Sequence, residues 1–346
     1  MSTSNLQARL RTSAVLIAVL IGLVFLDIRY SPPGKEGVWL LPALLFFSLG
    51  TAWDVTTLLR SSGRFVSRGT CLVATSMVTL SAAVPMVWPN PAGSDDAVRV
   101  LFSAGAVVVA AIAAIFFTLA VEMWYYDEGR KGAIERTLAA TFVSLYVGMP
   151  MAMLVMIRQL NAGVSPAWGL AALLSIIAVT KSADAGAYFT GKSLGRRKLI
   201  PRLSPGKTVE GAVGGVITAT IVAAVCVGIL IPRLSTPSEK ARTTVQTNSD
   251  ESQRDTGGPR FGEAVGGEPE RAVAGPWWAC LIIGPVLMTA GMLGDLAESL
   301  IKRDSGAKDS GDWLPGLGGV WDVSDSLLAA AMPAFVLLWL GLAGGF

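Results

Sequence analysis

The chain contains no histidine, and only three of its 346 residues are cysteines. Without histidine it lacks the side chain that most often acts as a general base or binds zinc. Cys71, Cys226 and Cys280 lie in separate apolar stretches and form no C-x-x-C pair, which argues against a disulfide or a thiolate metal site. Chemistry in this chain therefore depends on carboxylates, lysines, arginines, hydroxyl groups, the backbone or a bound ion.

Charged residues are also scarce. They make up 15% of the chain, against about 25% in soluble domains, and hydrophobic residues make up 52%. The net charge of +3, without a basic block interleaved with aromatics, argues against a nucleic-acid-binding protein. Residues 14–28 and 100–121 contain long apolar runs, and about 20 apolar residues span a bilayer as a helix. The composition argues against a soluble enzyme, and the apolar runs predict a protein that resides in the lipid bilayer.

The hydropathy pattern predicts an all-α, polytopic membrane protein with about nine transmembrane helices. The predicted spans are 13–29, 37–53, 70–88, 99–121, 137–157, 167–190, 209–231, 277–301 and 322–345. No small-residue cleavage site follows the first span, so we interpret it as a retained anchor. The predicted regions are N-terminal helices at 1–160 with about five spans, a middle transmembrane region with a basic loop at 161–231, a disordered extramembrane loop at 232–276, and C-terminal catalytic helices at 277–346.

The loops between the spans differ strongly in positive charge. Eighteen Lys and Arg residues fall on the side of the N-terminus, and only four fall in the short loops of the opposite side. Because cytoplasmic loops carry the excess of Lys and Arg, the N-terminus is predicted to be cytoplasmic. The expected location is the inner membrane of a bacterium, with the active site on the cytoplasmic side.

Acidic residues collect at the predicted cytoplasmic ends of the later spans. Asp184 lies at the end of span six, Asp295 and Glu298 at the end of span eight, and Asp322 and Asp325 at the start of span nine. Ionisable groups at such positions are costly and indicate function. Carboxylates from two helices, without His or Cys, suit a hard ion such as Mg²⁺, which prefers carboxylates together with substrate phosphates.

Basic residues and two loops accompany these acids. Lys302, Arg303 and Lys308 are placed to neutralise phosphate oxygens. The glycine-rich segment 311–320 is predicted to let backbone N–H groups approach a ligand closely, and it enters span nine, where the start of a helix favours anions. The stretch 204–208, Ser-Pro-Gly-Lys-Thr, offers two hydroxyls and an ammonium group before a helix, although it lacks the spacing of a P-loop. The combination is typical of phosphoryl or nucleotidyl transfer.

These motifs resemble a known family. The run from Ser-Leu-Ile-Lys-Arg at 299–303 through Lys-Asp-Ser-Gly at 308–311 and Leu-Pro-Gly at 314–316 to Asp322 and Asp325 is similar to the signature of the phosphatidate cytidylyltransferases, or CDP-diacylglycerol synthases. The stretches around 184–188, 204–211 and 294–296 resemble further blocks of that family. The resemblance covers the C-terminal half, less the loop at 232–276.

The resemblance implies that CTP and phosphatidic acid react to give CDP-diacylglycerol and pyrophosphate. It also implies a Mg²⁺-dependent site, with K⁺ as a candidate second cation and a homodimer as a candidate assembly. The metal ligands it implies are Asp295, Asp322 and Asp325. The implied catalytic residues are these three and Lys302, and the implied substrate-binding residues are Asp184, Ser204, Lys207, Thr208, Ser299, Arg303, Lys308 and Asp309.

The chain departs from the family pattern at two positions. Leu317 stands where the family usually has His, and Val323 stands where it usually has Arg. All the carboxylates and Lys302 remain, so we expect an active enzyme. Three alternatives stay open: a CTP-dependent lipid kinase of the polyprenol or phytol type, a cation transporter, and a weakly active homologue.

Overall fold

A computed structural model describes residues 3–32, 34–88, 96–127, 131–161, 165–235 and 275–342. Most of the predicted loop at 232–276, namely residues 236–274, therefore lies outside the described residues. The start of that prediction was wrong, because Ile231–Ser235 forms a helix. This helix continues the preceding span, and its apolar residues Ile231 and Leu234 pack with the core.

The predicted helical fold is confirmed. The helices are α1 (Thr3–Tyr30), α2 (Leu41–Ser61), α3 (Arg68–Ser81), α4 (Val84–Val87), α5 (Asp96–Trp124), α6 (Ala133–Gln159), α7 (Trp168–Leu194), α8 (Val209–Val225), α9 (Ile231–Ser235), α10 (Cys280–Asp304) and α11 (Trp321–Trp339). A π-helical turn, Cys226–Leu230, joins α8 to α9, and a 3₁₀ turn, Trp277–Ala279, precedes α10.

The described residues also contain one small β-hairpin, which the all-α prediction did not include. Its strands are β1 (Lys198–Ile200) and β2 (Ser204–Thr208), paired antiparallel with Lys198 opposite Thr208 and Ile200 opposite Ser204. The Ser-Pro-Gly-Lys-Thr stretch is therefore a strand that leads directly into α8. Five residues are too few for hydropathy to distinguish a strand from a turn.

Eight helices in the described part of the chain are long and apolar enough to cross a membrane, and the chain is an integral membrane protein. The predicted third span, 70–88, does not form one such helix. It divides into α3 and α4, which are separated at Ala82 and Ala83. Pro85 stands at the start of α4, and a proline lacks the N–H that would continue the helix from α3.

The main core lies between α2, α6, α7, α10 and α11, where Trp168 and Trp321 are fully buried. A second cluster of buried residues joins α3 and α4 to α5 and α6. The main core draws residues from both halves of the chain, from Leu40 to Leu338. The division into an N-terminal and a C-terminal region stays a prediction.

Helix α1 differs from the others because most of its apolar side chains are exposed. Only 6% of its membrane-spanning window is buried, which is expected of a helix that faces lipid. Polar contacts hold it near both ends. Arg158 of α6 donates from Nε to Asp27 Oδ2 at 2.7 Å, and Arg9 donates from Nε to the carbonyl oxygen of Gly316 at 2.6 Å.

Glycines allow α7, α8 and α10 to approach one another closely. A Cβ atom on Gly186 would lie 2.3 Å from Thr218 Oγ1, and one on Gly214 would lie 2.1 Å from Thr190 Oγ1. A Cβ atom on Gly284 of α10 would lie 2.5 Å from the Cα atom of Thr220 in α8. Small residues at such crossings are typical of membrane helices, where packing drives association.

Replacing Gly284 with Ala is expected to destabilise the protein by about 1–3 kcal/mol, because the added methyl group would force α10 away from the backbone of α8. Thermal unfolding of the purified protein in detergent measures the effect. Gly22→Ala is the matched control, since a Cβ atom at Gly22 meets nothing within 4 Å. Equal melting temperatures for the two variants would contradict the close approach of α8 and α10.

Candidate active site

Three predicted residues of α10 point into the protein from one helix face. Asp295, Glu298 and Lys302 recur at helical spacing, and Glu298 is only 4% exposed. The Lys302 ammonium group lies 3.1 Å from Glu298 Oε1 and 2.8 Å from Asp322 Oδ1 at the start of α11. One ammonium group thus joins carboxylates from the two C-terminal helices.

The second oxygen of Asp322 is held by the segment that joins α10 to α11. Asp322 Oδ2 accepts hydrogen bonds from Gly319 N at 2.7 Å, from Ser310 Oγ at 2.8 Å and from Ser310 N at 3.1 Å. The backbone of this segment was predicted to approach a ligand. Its Gly319 N–H binds the Asp322 carboxylate, and contact of the rest of the segment with a ligand stays a prediction.

Asp325 lies one helical turn further into the protein and is 6% exposed. Its carboxyl group faces those of Asp295 and Glu298 on α10. Its Oδ1 accepts a hydrogen bond from Ser326 N at 2.7 Å. Asp295 also lies 3.1 Å from the Lys207 ammonium group, so it links the buried carboxylates to the hairpin.

Helix α7 joins the same network through Asp184. Ser326 of α11 donates its hydroxyl hydrogen to Asp184 Oδ2 at 3.0 Å, and Lys181 donates to the Ser326 oxygen at 2.8 Å. Lys181 also lies 3.7 Å from Asp184, one helical turn away. Asp184 also interacts with Asp295, so the polar network lies at the point where α7, α10 and α11 meet.

A cavity of about 650 Å³ lies beside this point, between α7, the hairpin, α8 and α10. Five predicted residues line it: Asp184, Ser204, Lys207, Thr208 and Asp295. Two further lysines, Lys192 and Lys198, add positive charge to its walls, whereas Ala183, Ala187, Met288 and Met292 make part of it apolar. A mixed lining of this kind suits a molecule with a phosphate group and a hydrocarbon portion.

Local contacts hold the hairpin against the cavity. The Glu210 carboxylate, in the first turn of α8, accepts hydrogen bonds from the backbone N–H groups of Arg196 and Arg197 at 3.0–3.2 Å. The Thr208 hydroxyl accepts from Gly211 N at 3.1 Å and so caps α8. Thr208 is 5% exposed and holds the start of α8 in place, and its role in substrate binding stays a prediction.

Four predicted substrate-binding residues lie outside this network. Arg303, Lys308 and Asp309 are exposed, and Ser299 is half-buried. Within the described residues, their side chains make no hydrogen bond or ion pair. They lie on α10 or directly after it, so they are near Lys302 in the sequence, and their role stays a prediction.

The proposed Mg²⁺ ligands do not form a ready metal cage. Across the described ranges, no three His, Cys, Asp or Glu side chains are arranged to hold a metal ion. Asp295 and Asp325 lie together, but Asp322 turns toward Lys302. Carboxylate oxygens are nevertheless the donors that Mg²⁺ prefers, and Mg²⁺ takes its other ligands from water and phosphates. The residues therefore fit a site that substrate completes, and Mg²⁺ stays a prediction, as does K⁺.

The sequence analysis missed Asp54 of α2, which lies one residue beyond the predicted second span. It is 1% exposed and accepts a hydrogen bond from Trp321 N at 3.0 Å. It also missed Lys181 and Ser326. The available signal was a single acid within an apolar helix, which is costly unless the protein uses it.

Comparison with known proteins gives a consistent assignment. The profile of the Cytidylyltransferase family matches residues 7–340. The phosphatidate cytidylyltransferase of Haemophilus influenzae is 36% identical over 170 residues, which cover 49% of this chain and 46% of that protein. The enzyme of the same name from Bacillus subtilis is 34% identical over 188 residues, covering 54% of this chain and 53% of the relative.

A third relative, the phosphatidate cytidylyltransferase of Chlamydia trachomatis, is 30% identical over 210 residues, covering 60% of this chain and 57% of the relative. The chain thus spans about half the length of the curated relatives it matches. The family profile covers almost the whole chain, including every residue of the carboxylate network from Asp184 to Asp325. The chain belongs to the cytidylyltransferase family.

Proposed function

We propose that this protein transfers CMP from CTP to phosphatidic acid, giving CDP-diacylglycerol and pyrophosphate. The observation that carries the proposal is the ion pair of Asp295 and Lys207 in the wall of a cavity of about 650 Å³. That cavity combines three lysines with an apolar lining, as a lipid phosphate and a nucleotide require. Family membership and the names of the relatives support the same reaction.

The proposed step is an in-line displacement at the α-phosphorus of CTP. A phosphatidate oxygen forms the new P–O bond, the bond between the α-phosphorus and the bridging oxygen breaks, and pyrophosphate leaves with that electron pair. The phosphatidate oxygen is already an anion near neutral pH, so no histidine is needed as a base. Lys207 and Lys302 lie within the network where they would stabilise the negative charge that accumulates on the phosphates.

A bound Mg²⁺ would neutralise the triphosphate as a Lewis acid. Asp295 and Asp325 would hold it, because their carboxyl groups lie together beside the cavity. Asp322 would join them as the third predicted ligand. Lys207 now pairs with Asp295, so substrate and cation entry would free this ammonium group to bind a phosphate oxygen.

The membrane gives the lipid substrate access to the site. Helix α8, which forms one wall of the cavity, exposes a stripe of apolar side chains at every fourth position: Val209, Val213, Ile217, Ile221 and Val225. Such a stripe on a membrane helix faces lipid. We place this end of the bundle at the cytoplasmic leaflet, because the basic hairpin and most Lys and Arg residues lie there.

Incubation of the purified protein with CTP, phosphatidic acid and Mg²⁺ tests the proposal. We expect CDP-diacylglycerol and pyrophosphate in equal amounts, and no product with EDTA or from the Asp322→Ala variant. Release of CDP with a phosphorylated lipid would identify a CTP-dependent lipid kinase instead. Cation flux through liposomes without CTP turnover would identify a transporter. Cross-linking in the same detergent would test the predicted homodimer.

A further inference from the structure

Asp54 is a buried carboxylate that the proposed reaction does not use directly. It lies in α2 and does not line the cavity beside Asp295. A charged group at such a position costs free energy unless it has polar partners. Asp54 Oδ2 accepts a hydrogen bond from the backbone N–H of Trp321 at 3.0 Å, and the hydroxyl oxygen of Ser310 lies 3.4 Å away. Both partners belong to the segment that presents Asp322.

Helix α11 has no N-cap side chain in its own sequence. Its N-cap residue is Val320, whose side chain accepts no hydrogen bond, although the first N–H groups of a helix require acceptors. Asp54 supplies an acceptor from a different helix, with a negative charge where the helix dipole favours one. The position of the first turn of α11, which contains Asp322, therefore depends on α2.

Ser310 connects the two carboxylates. Its hydroxyl oxygen lies 2.8 Å from Asp322 Oδ2 and 3.4 Å from Asp54 Oδ2. The chain around it leaves no room on the Asp54 side. A Cβ atom on Gly311 would lie 2.5 Å from Asp54 Oδ1, and one on Gly319 would lie 2.3 Å from Asp54 Oδ2. The two ends of the segment from 310 to 320 therefore close directly on the Asp54 carboxylate.

The same face of α2 contacts α11 at two further points. Gly50 leaves space for the Val320 side chain, which a Cβ atom would meet at 2.7 Å. Thr51 Oγ1 and Ser324 Oγ form a hydrogen bond of 2.8 Å. Thr51 joins the same two helices as Asp54, but its hydroxyl pairs with Ser324 and not with Trp321 N or Ser310, which makes it a matched control.

We propose that Asp54 is a positioning residue for the transfer reaction. It caps α11 from α2 and fixes Ser310, and through these two contacts it holds the Asp322 carboxylate against Lys302. The inference rests on the proposed function, since it assigns a role in that reaction. It extends the active site to a helix of the N-terminal half, where the sequence motifs indicated no functional residue.

The test compares Asp54→Asn, Ser310→Ala and Thr51→Val with the wild-type protein. For folded, monodisperse Asp54→Asn we expect kcat to fall about 10-fold or more while the KM values for CTP and phosphatidic acid stay within about threefold. Ser310→Ala should lower kcat in the same way. The kcat of the double variant should be no lower than that of the less active single variant, because both residues act through Asp322. Thr51→Val should keep kcat within about twofold.

A purely structural role would lower the yield or melting temperature of Asp54→Asn without changing the kcat of the folded fraction, and that result would overturn the proposal. Independent, multiplicative effects of Asp54→Asn and Ser310→Ala on kcat would also overturn it. Should Asp54→Asn not fold, an unchanged kcat for Ser310→Ala would decide against it. A double-mutant cycle of melting temperatures tests the coupling of Asp54 and Ser310 without an activity assay. Additive shifts in melting temperature would refute that coupling even if the wild-type protein makes no CDP-diacylglycerol. A wild-type protein that makes no CDP-diacylglycerol would by itself refute only the proposed function.

Discussion

Replacing Asp295 with Asn is expected to lower the turnover of CTP and phosphatidic acid by about 100-fold or more, which is the loss typical of removing one electrostatic stabiliser from an active site. Asp295 contacts both parts of the site. Its carboxylate lies 3.1 Å from Lys207 at the cavity wall and faces Asp325 in the interior. The substitution keeps the size of the side chain and removes its charge.

Asp304→Asn is the control for this experiment, because it places the same substitution near the end of the same helix. The Asp304 side chain is 51% exposed and pairs with Arg64 at the surface, 2.9 Å away. The turnover of the Asp304→Asn variant should match that of the wild-type protein. The measurement is the initial rate of CDP-diacylglycerol formation at saturating substrates and Mg²⁺. An Asp295→Asn rate within about threefold of the wild type would remove Asp295 from the mechanism.

Replacing Arg158 with Ala is expected to destabilise the protein by about 3–5 kcal/mol, because it leaves a buried carboxylate without its partner. The Asp27 and Arg158 side chains are 0% and 3% exposed. Arg158 donates from both Nε and Nη2 to Asp27 Oδ2, and Ser31 and the Gly37 N–H donate to Asp27 Oδ1. This cluster is a main attachment of the exposed helix α1 to the protein.

The exposed pair of Arg64 and Asp304 provides the comparison. Their side chains are 43% and 51% exposed, so Arg64→Ala should change stability by less than about 1 kcal/mol. Unfolding by heat or by SDS titration in mixed micelles measures both variants. The double variant Asp27→Leu with Arg158→Met should recover most of the loss, since it removes both charges together. Equal losses of stability for Arg158→Ala and Arg64→Ala would show that burial of the pair of Asp27 and Arg158 does not increase its contribution to stability.

At the end of α10 and the start of α11, the sequence pattern predicted part of the site. Asp295, Glu298, Ser299 and Lys302 stand at i, i+3, i+4 and i+7, a spacing that predicts one shared helix face. In the structure Lys302 pairs with Glu298, and Glu298 and Asp295 both face Asp325. The family assignment from the motifs at 299–325 is also confirmed. Local spacing was sufficient because residues three and four positions apart on a helix are neighbours whatever the rest of the chain does.

Contacts between distant segments could not be predicted in this way. The sequence indicated that the 311–320 segment would face a ligand, but its Gly319 N–H binds Asp322. Asp322 was grouped with Asp295 as a metal ligand, yet it pairs with Lys302. Both pairings of Asp322 depend on which donors lie beside its carboxylate. The packing of the helices determines which donors these are.

The sequence by itself determined that the chain is a helical membrane protein and that histidine takes no part in its chemistry. Scarce charge, long apolar runs and the absence of histidine allow little else. Only the tertiary structure decided that Asp54 caps α11, that Lys207 reaches Asp295, and that α1 is attached through Asp27. Composition and periodicity act over one or two helical turns, whereas these contacts join residues 88 to 267 positions apart, and only the packing of whole helices brings them together.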